Sequence, residues 1–244
     1  MHYAGTVAAQ QGDFVTSRQL YEQSLEFRRE LNDRPQIAHL LNNLGILKRF
    51  NGDSTGARVL YEESLTIRRE LGDKKWIAQS LNNIGNVAMD QDNLAEARSY
   101  LEEALVMLRQ VGDPWEIANG LNNLGNVVRT QGDYQAAWLL YSESLEIYQQ
   151  YGDKRALAYL FEDMGCLAAL EGQVERTLLL IGSASNLREA IGSPLSSGER
   201  EKIDHIVKPA CQKLSQAAQE ALINTGKALT LEQTIQFALT GMHD

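Results

Sequence analysis

The chain has 244 residues, a formal net charge of −9 and a pI of about 5.0. That length can bury a large core, while the acidic balance argues against direct binding of nucleic acid, whose partners usually present a basic face. No apolar run approaches the roughly 18 residues that a membrane-crossing helix needs, and the first residues lack a signal-peptide pattern. The two cysteines, Cys166 and Cys211, have no metal-like spacing and read as free thiols of a cytoplasmic protein.

A single phrase organises the chain. Leu41-Asn42-Asn43-Leu44-Gly45 returns as Leu81-Asn82-Asn83-Ile84-Gly85 and Leu121-Asn122-Asn123-Leu124-Gly125, with a worn copy at Phe161-Glu162-Asp163-Met164-Gly165. Gly5, Gly45, Gly85, Gly125 and Gly165 fall at a constant spacing of about 40, which marks a helical repeat. Inside a helix each glycine costs about 1 kcal/mol relative to Ala. Its recurrence predicts that another backbone passes close to it and that Gly85 and Gly125 are packing positions.

In chain order, the phrase helix A ends at a turn, Gln11-Gly12-Asp13, Asn51-Gly52-Asp53 and Gln131-Gly132-Asp133, degraded to Gln91-Asp92-Asn93 and Glu171-Gly172-Gln173. Glycine there takes the left-handed position and the Asp or Asn caps the next helix. Helix B follows, as in Tyr61 to Leu71, with apolar residues at three and four. It ends in a second turn at Asn32-Asp33, Gly72-Asp73, Gly112-Asp113, Gly152-Asp153 and Gly192-Ser193. Pro35 and Pro114 suit the first turn of the next helix A. No segment alternates as strands do. From residue 194 the period breaks, and three helices are expected, over Ser196 to Leu214, Ser215 to Leu229 and Leu231 to Leu239, the last capped by Thr230.

The Leu-Gly pair of helix A, the alanines Ala57, Ala97 and Ala137, and Tyr61 or Tyr141 resemble the tetratricopeptide repeat, in the long form found in kinesin light chain and in the Leu-Gly-Asn-repeat adaptors. This resemblance implies an all-α, right-handed α-solenoid with units at about 1–33 (incomplete), 34–73, 74–113, 114–153 and 154–193, followed by a helical cap over 194–244. The tail, Leu187 to Gly192, Pro194-Leu195 and Gly226 to Thr234, resembles the C-terminal sensor end of bacterial STAND-type signalling ATPases. It implies a bacterial source and a larger parent protein; because helix A has barely begun at Met1, the array is expected to continue upstream in that parent.

No catalytic constellation is present. A Gly-x-x-x-x-Gly-Lys-Ser/Thr phosphate loop is missing, His2, His39, His205 and His243 are scattered, and the serines lack a Gly-x-Ser-x-Gly turn. The chain therefore reads as a non-enzyme without cofactor or metal. The acidic and basic residues of helix B read as a solvated face.

The resemblance implies that helix A lines a concave groove. Counted from the glycine, the positions three before, one after and four after face it: Asn42, Ile46 and Arg49; Asn82, Asn86 and Met89; Asn122, Asn126 and Arg129; then Glu162, Cys166 and Ala169. One turn back, His39, Gln79, Asn119 and Tyr159 join them. The neighbouring column, Asn43, Asn83 and Asn123, is assigned to bonding between helices. Amides offer donors and an acceptor to an extended peptide backbone, and Arg49 and Arg129 offer charge to a carboxylate. Burial is not expected to explain these amides, since an unpaired one in a core costs roughly 1–3 kcal/mol. The expected function is a protein- or peptide-binding scaffold in a signalling protein. The alternative is a small-ligand sensor of a transcriptional regulator, which aromatic groove walls would favour and which the few aromatics in that column disfavour.

Overall fold

The computed structural model describes residues 2–240. Among the described residues there are thirteen helices and no strand: α1 (His2–Gln10), α2 (Phe14–Glu30), α3 (Arg34–Phe50), α4 (Ser54–Leu71), α5 (Lys74–Asp90), α6 (Leu94–Val111), α7 (Pro114–Thr130), α8 (Tyr134–Tyr151), α9 (Lys154–Leu170), α10 (Val174–Ile191), α11 (Ser197–Cys211), α12 (Gln216–Ala228) and α13 (Leu231–Leu239). The A/B alternation expected from the repeated phrase runs through α10, and the three tail helices follow. The helices form two compact units, Met1–Asp113 and Pro114–Asp244.

The turn chemistry accounts for the helix ends. Asp13, Asp33, Asp53, Asp73, Asn93, Asp133 and Asp153 each accept a backbone N–H of the helix they open, a contact worth about 1 kcal/mol. In the worn turn after α5, Asp92 takes the left-handed position itself, at φ 60°.

Within each unit, paired helices close on the repeated glycine. The neighbour there is a side chain of helix B and not, as expected, chiefly a backbone. A Cβ on Gly45 would stand 2.5 Å from Cε1 of Tyr61, and one on Gly125 2.5 Å from Cε1 of Tyr141. At Gly85 the obstacle is Leu101 Cγ at 2.7 Å, with the Ala97 carbonyl behind it at 3.3 Å. Tyr61, Leu101 and Tyr141 are all fully buried, so they have little room to yield. Buried serines add ties between the pairs: Ser64 Oγ donates to Ala38 O at 2.8 Å, and Ser144 Oγ to Ala118 O at 2.9 Å. Gly125→Leu is expected to lose about 1–3 kcal/mol by overpacking. A thermal melt unchanged by that substitution would show that the ring of Tyr141 can move aside.

In the first unit the core runs through Tyr21, Leu25, Leu40, Leu41 and Leu44. In the second, α10 is buried on nearly every side, because α9 and the tail helices surround it. Cys166 and Cys211 are free and buried in one apolar cluster with Leu178 and Val207. Burial raises the Cys166 thiol to about 12, which makes it a packing residue.

Candidate functional site

Within each unit, neighbouring A helices are stitched by side chains, and Asn42, Asn122 and Asn126 of the predicted groove amides are used in this way. In the first unit Asn83 Nδ2 donates to Asn42 Oδ1 at 2.9 Å, and Asn43 Nδ2 lies 3.3 Å from His2 Nε2. In the second, Asn122 Nδ2 donates to Asp163 Oδ2 at 2.8 Å. The rule is the same each time: the residue three before one glycine meets the residue two before the next. Asn42 is only 2% exposed, so burial does explain this amide, contrary to the sequence reading. Each such bond contributes about 1 kcal/mol and avoids the cost of an orphaned amide.

The two predicted arginines are likewise engaged inside the chain. Arg49 Nε donates to Asp90 Oδ2 at 2.6 Å in the first unit. Arg129 is 8% exposed and donates through Nη1 to Asp163 O at 3.1 Å. Burial disfavours the charge on Arg129, yet Tyr141, Asp163 and Cys166 around it keep the guanidinium above its ordinary value. Of the remaining first-unit residues, Asn82, Asn86 and Gln79 are half-buried, and Gln79 Oε1 is buried without a partner.

The second unit gathers the predicted residues into one groove. A hollow of about 460 Å³ is lined by Asn119, Asn122 and Asn126, with Asp163 at its base and the rings of Trp115 and Tyr159 on its walls. Asp163 Oδ2 accepts from Asn122 and also from Asn126 Nδ2 at 3.1 Å. Tyr141 OH, fully buried, donates to Asn126 Oδ1 at 2.7 Å and fixes that amide's orientation. Asn119 Oδ1 accepts from Asn123 within α7. Trp115 Nε1 donates to Asp153 Oδ2 at 3.0 Å, and its ring meets Tyr148 edge-on at 6.3 Å. Tyr159 OH donates to Glu199 Oε1 at 2.8 Å, and its ring carries Arg188 at 4.2 Å. Both rings are thus anchored by a hydrogen bond and a ring contact where they line the hollow.

Sequence reasoning missed Asp163, Trp115 and Tyr148 here. Asp163 occupies the column assigned to inter-helix bonding. Trp115 sits in the first turn of α7 and Tyr148 on helix B, so neither falls in the helix-A column that was counted. Aromatics are accordingly not sparse in this groove. Among the described residues no group of three His, Cys, Asp or Glu side chains is placed to hold a metal ion, and no helix is long and apolar enough to cross a membrane.

The Tetratricopeptide repeat family profile matches residues 1–70 and 76–150. No curated protein matches the chain. Among solved structures, apo RapI superposes with a TM-score of 0.71 at 18% identity, covering 97% of this chain and 81% of that one. A Rap protein complexed with Competence and Sporulation Factor gives 0.67 at 15% identity over 92% of this chain and 66% of that one. The kinesin light chain TPR-like repeats of Podosopora anserina give 0.60 at 15% identity over 79% and 95%. At these identities the likeness is one of fold.

Proposed function

Because this chain belongs to the tetratricopeptide repeat family, we propose that it is a non-catalytic scaffold that holds a segment of a partner protein in the groove of α7, α8 and α9. The observation that carries this reading is the base of the groove. There a carboxylate, Asp163, is fixed by two amides in a hollow also lined by the rings of Trp115 and Tyr159. Asp163 retains acceptor capacity, and Asn119 and Asn122 keep amide hydrogens beyond those already used. A segment with backbone N–H groups or a basic side chain fits the acceptors, and an apolar side chain fits against Trp115 or Tyr159. The Rap protein solved with Competence and Sporulation Factor supports this use of the fold. In the first unit Arg49, Gln79, Asn82 and Asn86 are proposed as a separate binding surface of that unit, with Asn42 packed beneath it, and in the second unit Arg129 packs beneath the groove.

The wording of the tail supports placing the chain in a larger bacterial signalling protein. The aromatic walls also support a second reading, a small-ligand sensor of a transcriptional regulator, since ring faces favour compact apolar ligands.

The test begins with peptides selected by display on the full chain. Asn119→Arg fills the groove and should weaken the selected peptides at least about tenfold, or about 1.4 kcal/mol. Leu139→Arg, on the exposed face of α8, should leave them unchanged. Binding that survives the first variant and fails in the second would move the site out of the groove.

A further inference from the structure

Helix B carries an arginine at one register in three repeats: Arg28, Arg68 and Arg188, where the other two repeats hold Leu108 and Tyr148. Arg28 meets Asp33 at 2.7 Å, and Arg188 meets both oxygens of Glu162 at 2.6 and 2.7 Å. Arg68 differs. It is 3% exposed, and its Nη1 donates to Trp76 O and Ser80 Oγ, both at 2.8 Å. Its Nη2 is buried with no hydrogen-bond partner. No carboxylate of the described residues lies within ion-pair distance of it, and Asp73 acts on it only through its field. The Trp76 ring lies 5.2 Å from the guanidinium and compensates part of the charge, but a buried cation with no carboxylate and an idle donor remains costly, and a protein retains such a group where something else completes it.

Arg68 lines a cavity of about 430 Å³ in the first unit. Gln36 and His39 add polar edges, and Pro35, Leu71 and the Trp76 ring add apolar walls. His39 is driven by burial down to about 4, so at neutral pH it brings no second charge. Asp73 stands at the rim and opposes a multiply charged group.

We infer that this cavity binds a carboxylate borne on a compact apolar or aromatic body. The ligand's carboxylate supplies the counterion that Arg28 and Arg188 find within the chain, and its body lies against Trp76 and Leu71. Phosphate fits less well, because Asp73 repels a second negative charge and Arg68 has one idle nitrogen to offer. This site is separate from the α7–α9 groove and stands or falls without it.

The experiment titrates 3-phenylpropionate, and separately the peptide Gly-Gly-Phe with a free C-terminus, into the full chain. The reporter is the indole N–H resonance of Trp76, assigned with Trp76→Phe. A saturable shift is expected, at least tenfold weaker for the corresponding amides. Tighter binding of the free acid marks a metabolite as the source of the carboxylate; tighter binding of the peptide marks a protein C-terminus. Arg68→Met should bind at least tenfold more weakly while keeping the helical circular dichroism of the parent. Equal binding of acid and amide overturns the inference without any variant. So does a Trp76 signal that neither acid moves, or an unchanged affinity in Arg68→Met.

Discussion

Replacing Glu162 by Ala should destabilise the last repeat by about 3–5 kcal/mol, the usual effect of leaving one partner of a buried ion pair behind. The pair has both features that make the loss severe. Arg188 and Glu162 keep 5% and 6% of their side-chain surface, and two parallel N–H···O bonds join them. Burial disfavours the charge on Arg188, and the bonds and charge of Glu162 overcome that and hold the guanidinium above its ordinary value. In Glu162→Ala the Ser193 carbonyl at 3.2 Å, the Tyr159 side chain and the more distant charge of Glu199 remain to it. Replacing both residues, Glu162→Leu with Arg188→Met, should recover most of the loss, because two apolar side chains need no counterion. Repeat arrays need not unfold in one step, so the readout is hydrogen exchange across α9 and α10 alongside the melt. Protection in Glu162→Ala equal to the parent would mean that water reaches Arg188 and the pair is not buried in solution.

The same pair shows what could and could not be read from the chain. Helix boundaries were legible because each one combines local signals, a left-handed glycine or its substitute and a capping Asp or Asn, and local signals need no knowledge of the partner helix. The five glycines were legible as packing positions, but their partners were not. Tyr61 and Tyr141 lie on the paired helix B, and the sequence shows only that something large must sit there. The asparagine columns were legible as columns. Their assignment to groove and interior failed for Asn42 and Arg129, because neighbouring A helices approach closely enough for the two columns to bond each other. Glu162 was placed in the groove column as a divergent copy of Asn42. Aligning the helix-B register would have set Arg188 beside it, since an arginine standing where Leu108 is buried requires a partner or a ligand. That comparison would equally have exposed Arg68.

Gly226→Ala should detach α12 from α10 at an expected loss of about 3 kcal/mol, the upper end of ordinary overpacking. Here the obstacle is backbone. A Cβ on Gly226 would lie 2.2 Å from the Leu179 carbonyl oxygen and 2.9 Å from Leu179 Cα, and one on Gly182 would lie 2.2 Å from Ile223 O. Two helices that touch at glycines cannot admit a methyl by rotating a side chain, whereas beside Gly125 the obstacle is the Tyr141 ring. The crossing also carries polar bonds: Ser183 Oγ donates to Gly226 O at 2.9 Å, and Thr234 Oγ1 of α13 lies 3.1 Å from Ser183 Oγ. Separation of α12 therefore also removes the seat of α13, which Arg176 otherwise holds through the Ala238 carbonyl at 2.6 Å. The reason for this contact lies in the register of the repeats. Glu22, Glu62 and Glu102 are exposed at the position of Gly182, and Val59 and Leu139 are 60% and 59% exposed at that of Leu179, which is 8% exposed. The last helix B has traded an outer, solvated face for one that receives another helix. Limited proteolysis in the 212–215 connection, rapid in Gly226→Ala and slow in the parent, is the expected result. Equal cleavage of the two proteins would show that α12 does not depend on a glycine contact to stay on α10.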